Sequence, residues 1–407
     1  MATPTDLPTD VTAGAVGHVT HTNALHRAVN QLTRSSMVSV LDFGAVSSSE
    51  QSDVNDAANT AAFTAAAATE KLVFVPPGNY YGSYNLDPGP FVRFIGTDAW
   101  DCYITVRDGN YFIDGSQPWV NLRLENLTIQ QGAGAVRNRF RGTNVVDAHR
   151  IYDCRFTDYT VCAISDNVTD GPFWKIVRCC FRAASDDGTI GVALTGLTDK
   201  VNIADCEWQC NQIHIKLGYG GNNAVIRDND FIQYDAPTTG RHRAMVWVVP
   251  NRGLDNSGNG FLLDSCKFGN ENLGSDDFRV LIADESSGTS FGARLPDLST
   301  DSAGFVTGHR YRDCLVNGNG NFENAFVYST ASRFQGSYIS GLFLAGNKPS
   351  FIIEYRTAGG LDPDFAMNLT GPVLMQSRSS ESVAATNRDG AATPVNLSSH
   401  PRQMQVV

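Results

Sequence analysis

Four carboxylates occur in two copies of one short pattern, IADCEW (203–208) and IRDNDF (226–231). If the two copies lie on adjacent strands, neighbouring carboxylates come within about 5 to 8 Å of each other. That separation suits glycoside hydrolysis by one acid and one base or nucleophile, and crowding would raise the pKa of one group. The same groups could bind Ca²⁺, cap their own turns, or be splayed onto different faces by a bend. The candidates are Asp205, Glu207, Asp228 and Asp230.

Two further acidic pairs stand in the strings ASDDG and GSDDF, each before an apolar segment that we predict to be a strand. They take equivalent places in the chain pattern. Carboxylates at such loop edges are candidates for glycan cleavage, and they are equally suited to forming turns. The residues are Asp186, Asp187, Asp276 and Asp277.

Five other side chains could form a groove that stacks on and hydrogen-bonds a sugar, because aromatic faces bind sugar C–H groups. They are Trp174, Trp247, His214, Lys216 and Arg279. Trp247 could instead belong to the core, because the string MVWVV does not show which face points outward. We predict Trp208 to be a core residue, since it falls in an apolar column of the repeat described next.

A recurring string positions most of these residues. It consists of an aliphatic residue, two variable positions, Cys or Asn, one variable position and a bulky residue. The copies are RLENLTI (123–129), IYDCRF (151–156), IVRCCF (176–181), IADCEW (203–208), IRDNDF (226–231), LDSCKF (263–268) and YRDCLV (311–316). With Asn126, Cys154, Cys179, Cys206, Asn229, Cys266 and Cys314 aligned, the successive gaps are 28, 25, 27, 23, 37 and 48.

Four similar gaps are typical of one coil of a β-solenoid, and the longer two predict insertions at about 235–260 and 284–308. Stacking coils about 4.8 Å apart would align equivalent residues into ladders. Cys is small and commonly buried, and Asn tolerates left-handed geometry and can bond the coil above or below, so both suit an inner bend. A second strand follows in each coil, as in IHIKL (213–217), where Ile213 and Ile215 alternate with His214 and Lys216.

The composition narrows the classes of partner. The net charge of −11 disfavours nucleic acid and anionic membrane surfaces. No apolar run is long enough to span a membrane, and MATPTDLPTD has no features of a secretory signal. The nine cysteines are predicted to be reduced packing residues without zinc spacing, so we expect no metal site and no cofactor, apart from Ca²⁺ at the acidic cluster. No nucleotide-binding or GxSxG motif occurs.

The segment before the repeat contains VSVLDFGA (38–45), a polar loop, an Ala-rich run that predicts a helix capped by Asp53 or Asn55, and KLVFVPPGNYY (71–81). A helix here would cover the open first coil. Upstream, GHVTHTNALHRAVNQL (17–32) places Leu25, Ala28, Val29 and Leu32 on one helical face.

The order from Val40 to Val46 and from Val73 to Tyr80 resembles the start of the pectate-lyase-superfamily β-helix found in many phage tailspikes. The string 17–32 resembles a short stretch near the start of tail proteins of actinobacterial phages. The resemblance implies a right-handed parallel β-helix, and no catalytic residues carry over from it. It also implies a homotrimer in the virion tail, joined to other tail proteins and contacting cell-wall or capsular polysaccharide.

We therefore predict an all-β chain with a helical attachment segment (1–36), a parallel β-helix (37–335) and a C-terminal β-rich region (336–407), which could serve trimerisation. The leading functional hypothesis is a tailspike or minor tail protein that binds host polysaccharide, with glycan depolymerisation left open. The alternatives are a free-standing polysaccharide lyase or glycoside hydrolase, and a purely structural virion component.

Overall fold

A computed structural model of the chain describes its coiled body almost continuously from residue 37 to residue 233 and in shorter ranges beyond. The described residues are 37–50, 52–119, 121–140, 149–167, 173–185, 188–196, 200–233, 243–250, 260–270, 278–283, 302–318, 326–329, 331–335, 337–340, 343–346, 353–355, 367–369 and 374–375.

The described strands form three long parallel sheets, which we number in the order in which the chain visits them. Sheet 1 contains Val38–Ser39, Val73–Val75, Phe91–Gly96, Asn121–Glu125, His149–Tyr152, Trp174–Val177, Val201–Ala204, Ala224–Arg227, Leu262–Asp264, Arg310–Arg312, Ser337–Ser340 and Met367–Leu369. Sheet 2 contains Gly78–Gly82, Cys102–Val106, Thr128–Gln131, Arg155–Tyr159, Cys180–Ala183, Glu207–Gln209, Asp230–Gln233, Lys267–Asn270, Leu315–Gly318, Phe343–Gly346 and Leu374–Met375. Sheet 3 contains Tyr111–Gly115, Gly134–Asn138, Cys162–Asp166, Ile190–Leu194, Ile213–Leu217, Ala244–Val248, Phe278–Ile282, Val327–Ser329 and Ile353–Tyr355.

Each strand pairs with its equivalent one coil away, so the predicted parallel β-helix is confirmed. A separate parallel pair joins Ser302–Thr307 and Ala331–Gln335, and short 3-10 helices lie at Val40–Phe43 and Tyr219–Gly221. The strands between 337 and 375, in the segment that we treat as the C-terminal region, add to the same three sheets.

Two predicted columns of apolar residues fill the interior. On sheet 1, Ile151, Ile176 and Ile203 are in register and fully buried. On sheet 2 the aromatic column stacks face to face, with ring centroids 4.9 Å apart for Phe156 and Phe181 and 4.2 Å apart for Phe181 and Trp208. Trp208 is therefore a core residue, as predicted, and the ladders hold the coils in one register.

The bend between sheets 1 and 2 explains why Cys and Asn share a column. The thiol of Cys206 donates to the carbonyl of Ala204, two residues back, at 3.1 Å, and approaches the carbonyl of Ile176 on the preceding coil at 3.8 Å. Asn229 donates its amide to the equivalent carbonyls, those of Arg227 at 2.7 Å and Ile203 at 3.0 Å. Both side chains thus satisfy the same two buried acceptors.

One member of the predicted column is misplaced by one residue. Leu124 pairs with Ile151 and Thr128 with Arg155, so Leu127 rather than Asn126 lies in register with Cys154. Asn126 occupies the preceding position, where the backbone is left-handed, with φ of 55°. Asn is favoured there because its side chain tolerates this conformation. The same position on the following coils holds Asp153, Arg178, Asp205, Asp228, Ser265 and Asp313, with φ between 51° and 55°.

Sheet 3 contains the predicted second strands, but its burial does not alternate. All five residues of Ile213–Leu217 are buried, including His214 and Lys216. Ile215 and Leu217 join the main core, whereas Ile213 belongs to a second apolar cluster with Ala193, Trp247 and Leu281. Both faces of this sheet are therefore covered, which is why period two does not appear in its exposure.

A helix covers the first coils, as predicted. It spans Asp53–Ala67, and its N-cap is Ser52, whose Oγ accepts from the Asn55 backbone N–H at 3.2 Å, so the prediction of Asp53 or Asn55 as the cap is wrong. Phe63 is fully buried and packs edge-on against Tyr80 at a centroid distance of 5.8 Å. No helix in the described ranges is long and apolar enough to cross a bilayer.

Candidate functional site

A groove with a volume of about 1180 Å³ runs along the outer side of sheet 2 and the adjoining bend. Three rows of side chains line it, and each row receives one residue from each coil. The first outward position of sheet 2 contributes Thr128, Arg155, Cys180, Glu207 and Asp230. The second contributes Gln130, Thr157, Arg182, Gln209 and Ile232. The left-handed bend position contributes Asn126, Asp153, Arg178, Asp205 and Asp228.

The rows arise from two local rules. Side chains alternate along a strand, so the residues flanking the buried aromatic column of sheet 2 must point outward. The bend has only two residues in these coils, as at Asp205 and Cys206, and the second is buried at 2% exposure. The first is thereby left on the outside, next to the first row of sheet 2.

A longer bend closes one end of the groove. Residues 97–101 separate Phe91–Gly96 from Cys102–Val106, and this loop carries Trp100, which is 65% exposed. The Arg155 guanidinium lies over the Trp100 ring, 3.6 Å from its centroid. The loop is held by Thr128, whose hydroxyl donates to the Ala99 carbonyl, and by Asp98, which accepts from the Trp100 N–H at 2.7 Å. The groove therefore has a fixed aromatic end wall.

The structure brings the four predicted carboxylates of the repeat together. Glu207 and Asp230 are in register on adjacent strands, and Asp205 and Asp228 occupy equivalent bend positions on the same two coils. All four line the groove, so the bend does not splay them onto different faces. Glu207 accepts a hydrogen bond from the Gln209 amide, and Asp230 pairs with Lys267 at 3.1 Å.

Opposite charges alternate over three coils of the bend row, at Asp153, Arg178 and Asp205, and Asp228 then repeats the negative charge. Arg178 donates two hydrogen bonds of 2.6 Å to Asp153. These bonds and the charge of Asp153 raise the pKa of Arg178, and Asp205 on its other side adds to the effect. Arg178 is exposed, so the pair adds little to stability, but it fixes the orientation of the guanidinium in the groove.

The balance of charge in the groove is acidic. Seven carboxylates and three guanidiniums line it. The carboxylates are Asp98, Asp153, Asp158, Asp205, Glu207, Asp228 and Asp230, and the guanidiniums are Arg155, Arg178 and Arg182. The arginines occupy the half nearer to Trp100, and the quartet of carboxylates occupies the other half.

The five residues predicted to bind sugar lie elsewhere and are buried, with at most 2% exposure. Trp174 donates its indole N–H to Asp166 at 2.8 Å inside the main core, and Trp247 donates to the Ala283 carbonyl at 2.9 Å in the second apolar cluster. Lys216 lies over the Trp247 ring at 4.2 Å. His214 and Arg279 are also enclosed, so none of the five offers a surface to a polysaccharide.

The remaining predicted site residues are the two acidic loop pairs and the possible metal ligands. Asp186, Asp187, Asp276 and Asp277 lie outside the described residues. In the described part of the chain, no three His, Cys, Asp or Glu side chains are grouped so that they could hold a metal ion. The nine cysteines are described and all are free thiols; burial raises the pKa of Cys266 to about 12, so its thiol stays protonated and able to donate.

Sequence reasoning missed Trp100 and Arg155. The available signal was the spacing, because the string GTDAWDC (96–102) places five residues in a bend that has two on every coil between residues 121 and 318. An insertion that places an aromatic residue between two aspartates interrupts the repeat, and loops that interrupt a rigid scaffold commonly carry function.

Comparisons with known proteins give only distant likenesses. No family model matches the chain, and no curated protein sequence matches it. The N-terminal fragment of bacteriophage phi29 gene product 12 is 15% identical with a TM-score of 0.44, over 88% of this chain and 69% of that one. ORF18 of Geobacillus virus E2 is 13% identical with a TM-score of 0.37, over 83% and 65%.

An enzyme also resembles this chain at the same level. The catalytic unit of a thermostable GH87 alpha-1,3-glucanase from Streptomyces thermodiastaticus is 13% identical with a TM-score of 0.43, over 82% of this chain and 67% of that one. At such values the likenesses assign no activity to this chain.

Proposed function

We propose that this chain is a phage tail protein that meets the host surface and binds polysaccharide in the groove on sheet 2. The observation that carries the binding role is the exposed Trp100 ring, held by Arg155 at the end of a long polar groove. The assignment to a phage tail rests on the sequence resemblance of residues 17–32, Val40 to Val46 and Val73 to Tyr80.

The groove has the chemistry that a polysaccharide requires. The face of the Trp100 ring that Arg155 leaves uncovered can pack against the C–H groups of a pyranose ring, and the polar rows offer acceptors and donors to its hydroxyls. Because the rows stand on hydrogen-bonded strands, the backbone that carries them is fixed, and little backbone ordering is needed on binding. The open groove admits an internal stretch of a long polymer.

Hydrolysis is a further part of the proposal. Glu207 with Asp230, or Asp205 with Asp228, are the candidate pairs, because each pair lies on adjacent coils about 4.8 Å apart. One carboxyl would protonate the glycosidic oxygen as the bond to the anomeric carbon breaks. The other would take a proton from the attacking water, or attack the carbon itself before water releases the product.

The assembly is proposed by analogy with the tailspikes that the sequence resembles. A homotrimer in the virion tail would bury surface near the ends of the β-helix, where strand edges otherwise remain open. Residues 1–36 would join the chain to other tail proteins. The apparent size of the chain by light scattering tests the trimer.

The test of the groove uses isolated cell walls of actinobacterial strains. Co-sedimentation measures binding, reducing ends measure hydrolysis, and absorbance near 235 nm reports the unsaturated uronates that a lyase would release. Trp100→Ala should lower binding about tenfold, the effect of losing roughly 1.4 kcal/mol of contact. Val54→Ala is the matched control, because Val54 is 79% exposed and lies outside the groove.

The catalytic part has its own variants. Turnover that is lost in Asp205→Asn or Glu207→Gln would support hydrolysis by the quartet, and binding without turnover would support adhesion alone. Equal binding by Trp100→Ala and Val54→Ala would place the polysaccharide elsewhere. A chain that binds none of the walls would favour the purely structural role and contradict the proposal.

A further inference from the structure

We infer that the groove on sheet 2 selects an uncharged polysaccharide and rejects polymers of uronate or sugar phosphate. The inference rests on the proposed function and adds the chemical class of the ligand. It follows from the charges that line the groove and from where they stand, rather than from the volume of the groove.

Four carboxylates line the half of the groove farther from Trp100. Asp205, Glu207, Asp228 and Asp230 stand on two adjacent coils there. Lys267 pairs with Asp230 at 3.1 Å and offsets one of the four charges. A carboxylate or phosphate on a bound sugar would lie between several like charges at about the spacing of adjacent strands, so a polyanion is repelled along this half.

Three guanidiniums line the other half of the groove. Arg178 is held by two hydrogen bonds to Asp153, and Arg155 is stacked on Trp100. Arg155 and Arg178 are therefore already engaged by groups of the protein. The carboxylates of Asp98, Asp153 and Asp158 balance the three positive charges of this half, that of Arg182 included. A regularly repeating anion would meet engaged cations at one end and carboxylates at the other, and the net charge of −11 of the whole chain adds to the repulsion.

The carboxylates of the groove can bind the hydroxyls of a neutral sugar. Ionised carboxylates accept hydrogen bonds, and a neutral sugar presents hydroxyl donors at every ring. Equivalent residues on adjacent coils stand about 4.8 Å apart along the axis of the coil. Equivalent residues such as Asp205 and Asp228 can therefore meet equivalent hydroxyls of successive sugars when the polymer runs along the axis of the coil.

A polymer that is uniformly cationic is attracted by the acidic half, but in the other half the charges of Arg155, Arg178 and Arg182 balance those of the carboxylates and offer it no net attraction. A neutral glycan meets no like charge in either half. The inference is therefore an uncharged polymer, with a sugar at one end of the bound stretch stacked on Trp100.

The experiment takes the walls that the chain sediments with and releases their polysaccharides. Anion-exchange chromatography separates these into an unretained, uncharged fraction and a retained, anionic fraction. Affinity electrophoresis then measures the binding of the full chain to each fraction, with polygalacturonate and chitosan as charged reference polymers. Binding should reside in the unretained fraction and change less than about twofold between roughly 0.05 and 0.5 M NaCl, because no ion pairs form.

A charge variant sharpens the result. In Asp205→Asn with Asp228→Asn, the bend keeps a residue that tolerates its left-handed backbone, and two charges are removed. This double variant should gain about tenfold or more in binding to the anionic fraction and to polygalacturonate, by the loss of repulsion alone. Asp108→Asn is the control, because Asp108 is exposed in a turn outside the groove.

The outcomes separate the two proposals. Binding that resides in the anionic fraction, that falls steeply with salt, or that prefers chitosan to the unretained fraction overturns the inference and leaves polysaccharide binding standing. The inference is also overturned if the chain binds the walls but the double variant binds polyanions no better than Asp108→Asn does. If no wall binds, the proposed function fails first, and the inference fails with it.

Discussion

Asn229 should be the most sensitive polar residue of the inner bend. It donates to the carbonyls of Arg227 and Ile203, and its Oδ1 accepts from the Cys206 backbone N–H at 3.2 Å and from the Trp208 indole N–H at 3.1 Å. Asn229→Ala removes the acceptor of both donors inside the core. Each buried donor without a partner costs about 1 to 3 kcal/mol, so the variant should lose roughly 2 to 6 kcal/mol.

Two variants of the same column calibrate this value. Asn229→Cys introduces a thiol whose sulfur can accept from the Cys206 N–H. The Cys206 sulfur accepts in the same way from the Cys179 N–H, at 3.4 Å. Only the Trp208 indole N–H then lacks its acceptor, and the loss should be about 1 to 3 kcal/mol. Cys179→Ala removes a weak donor and a small buried group, and should cost about 1 kcal/mol.

Urea unfolding followed by circular dichroism measures the three free energies, and the expected order of destabilisation is Asn229→Ala, then Asn229→Cys, then Cys179→Ala. Because a long solenoid can unfold in steps, the unfolding rate at fixed urea concentration serves as a second measure. The reasoning is refuted if Asn229→Ala and Cys179→Ala agree within about 0.5 kcal/mol, since the amide would then not hold the two donors.

Three other changes test the fold and its dependence on pH. Asp205→Ala should cost about 1 kcal/mol in urea unfolding and Asp205→Asn nearly nothing, because the left-handed backbone at φ of 55° penalises Ala; equal losses would contradict this. Phe63→Ala should cost about 3 to 5 kcal/mol and promote aggregation, seen as a lower Tm and as light scattering, by opening the covered end of the core. Burial lowers the pKa of His149 and His214 to about 3, below their ordinary value of 6.5. The unfolded chain therefore binds more protons between those values, and stability should fall with decreasing pH by about 1.4 kcal/mol per pH unit for each histidine. His214→Gln should flatten that slope in urea midpoints measured from pH 7 to pH 4. An unchanged slope would contradict this, because it would show that His214 binds its proton over the same pH range in the folded and unfolded chains.

The coil could be predicted from sequence because its interior repeats. Aliphatic and aromatic residues recur at fixed offsets from Cys or Asn, and the register of Ile151, Ile176 and Ile203 follows directly. The error at Asn126 has a physical cause, since Asn suits both the left-handed outer position and the inner amide position of one bend. Residue type alone cannot separate the two, whereas the spacing from Leu124 can.

The sugar-binding prediction failed for a different reason. Strands of sheet 3 carry polar and aromatic residues such as Lys216 and Trp247, which suggested an exposed face, but both are buried. Whether the outer face of a strand is covered depends on segments distant in sequence, so the periodicity within that strand cannot predict it. The acidic quartet was found because it lies inside the repeat, and Trp100 was missed because it lies in an interruption of the repeat.

The groove is lined by positions at which the coil accepts residues of different type and charge. At the outer bend position the backbone requires a residue that tolerates positive φ but makes no demand on charge, and Asn126, Asp153, Arg178 and Ser265 all occupy it. The second residue of the bend must fill a small buried space. In most coils it is a Cys or Asn, whose side chain donates to backbone carbonyls of the same two positions. Stability and recognition are thus carried by adjacent residues of a two-residue bend. Substitutions in the outer row can therefore change which ligand charge the groove prefers, without disturbing the inner hydrogen bonds that hold the coils together.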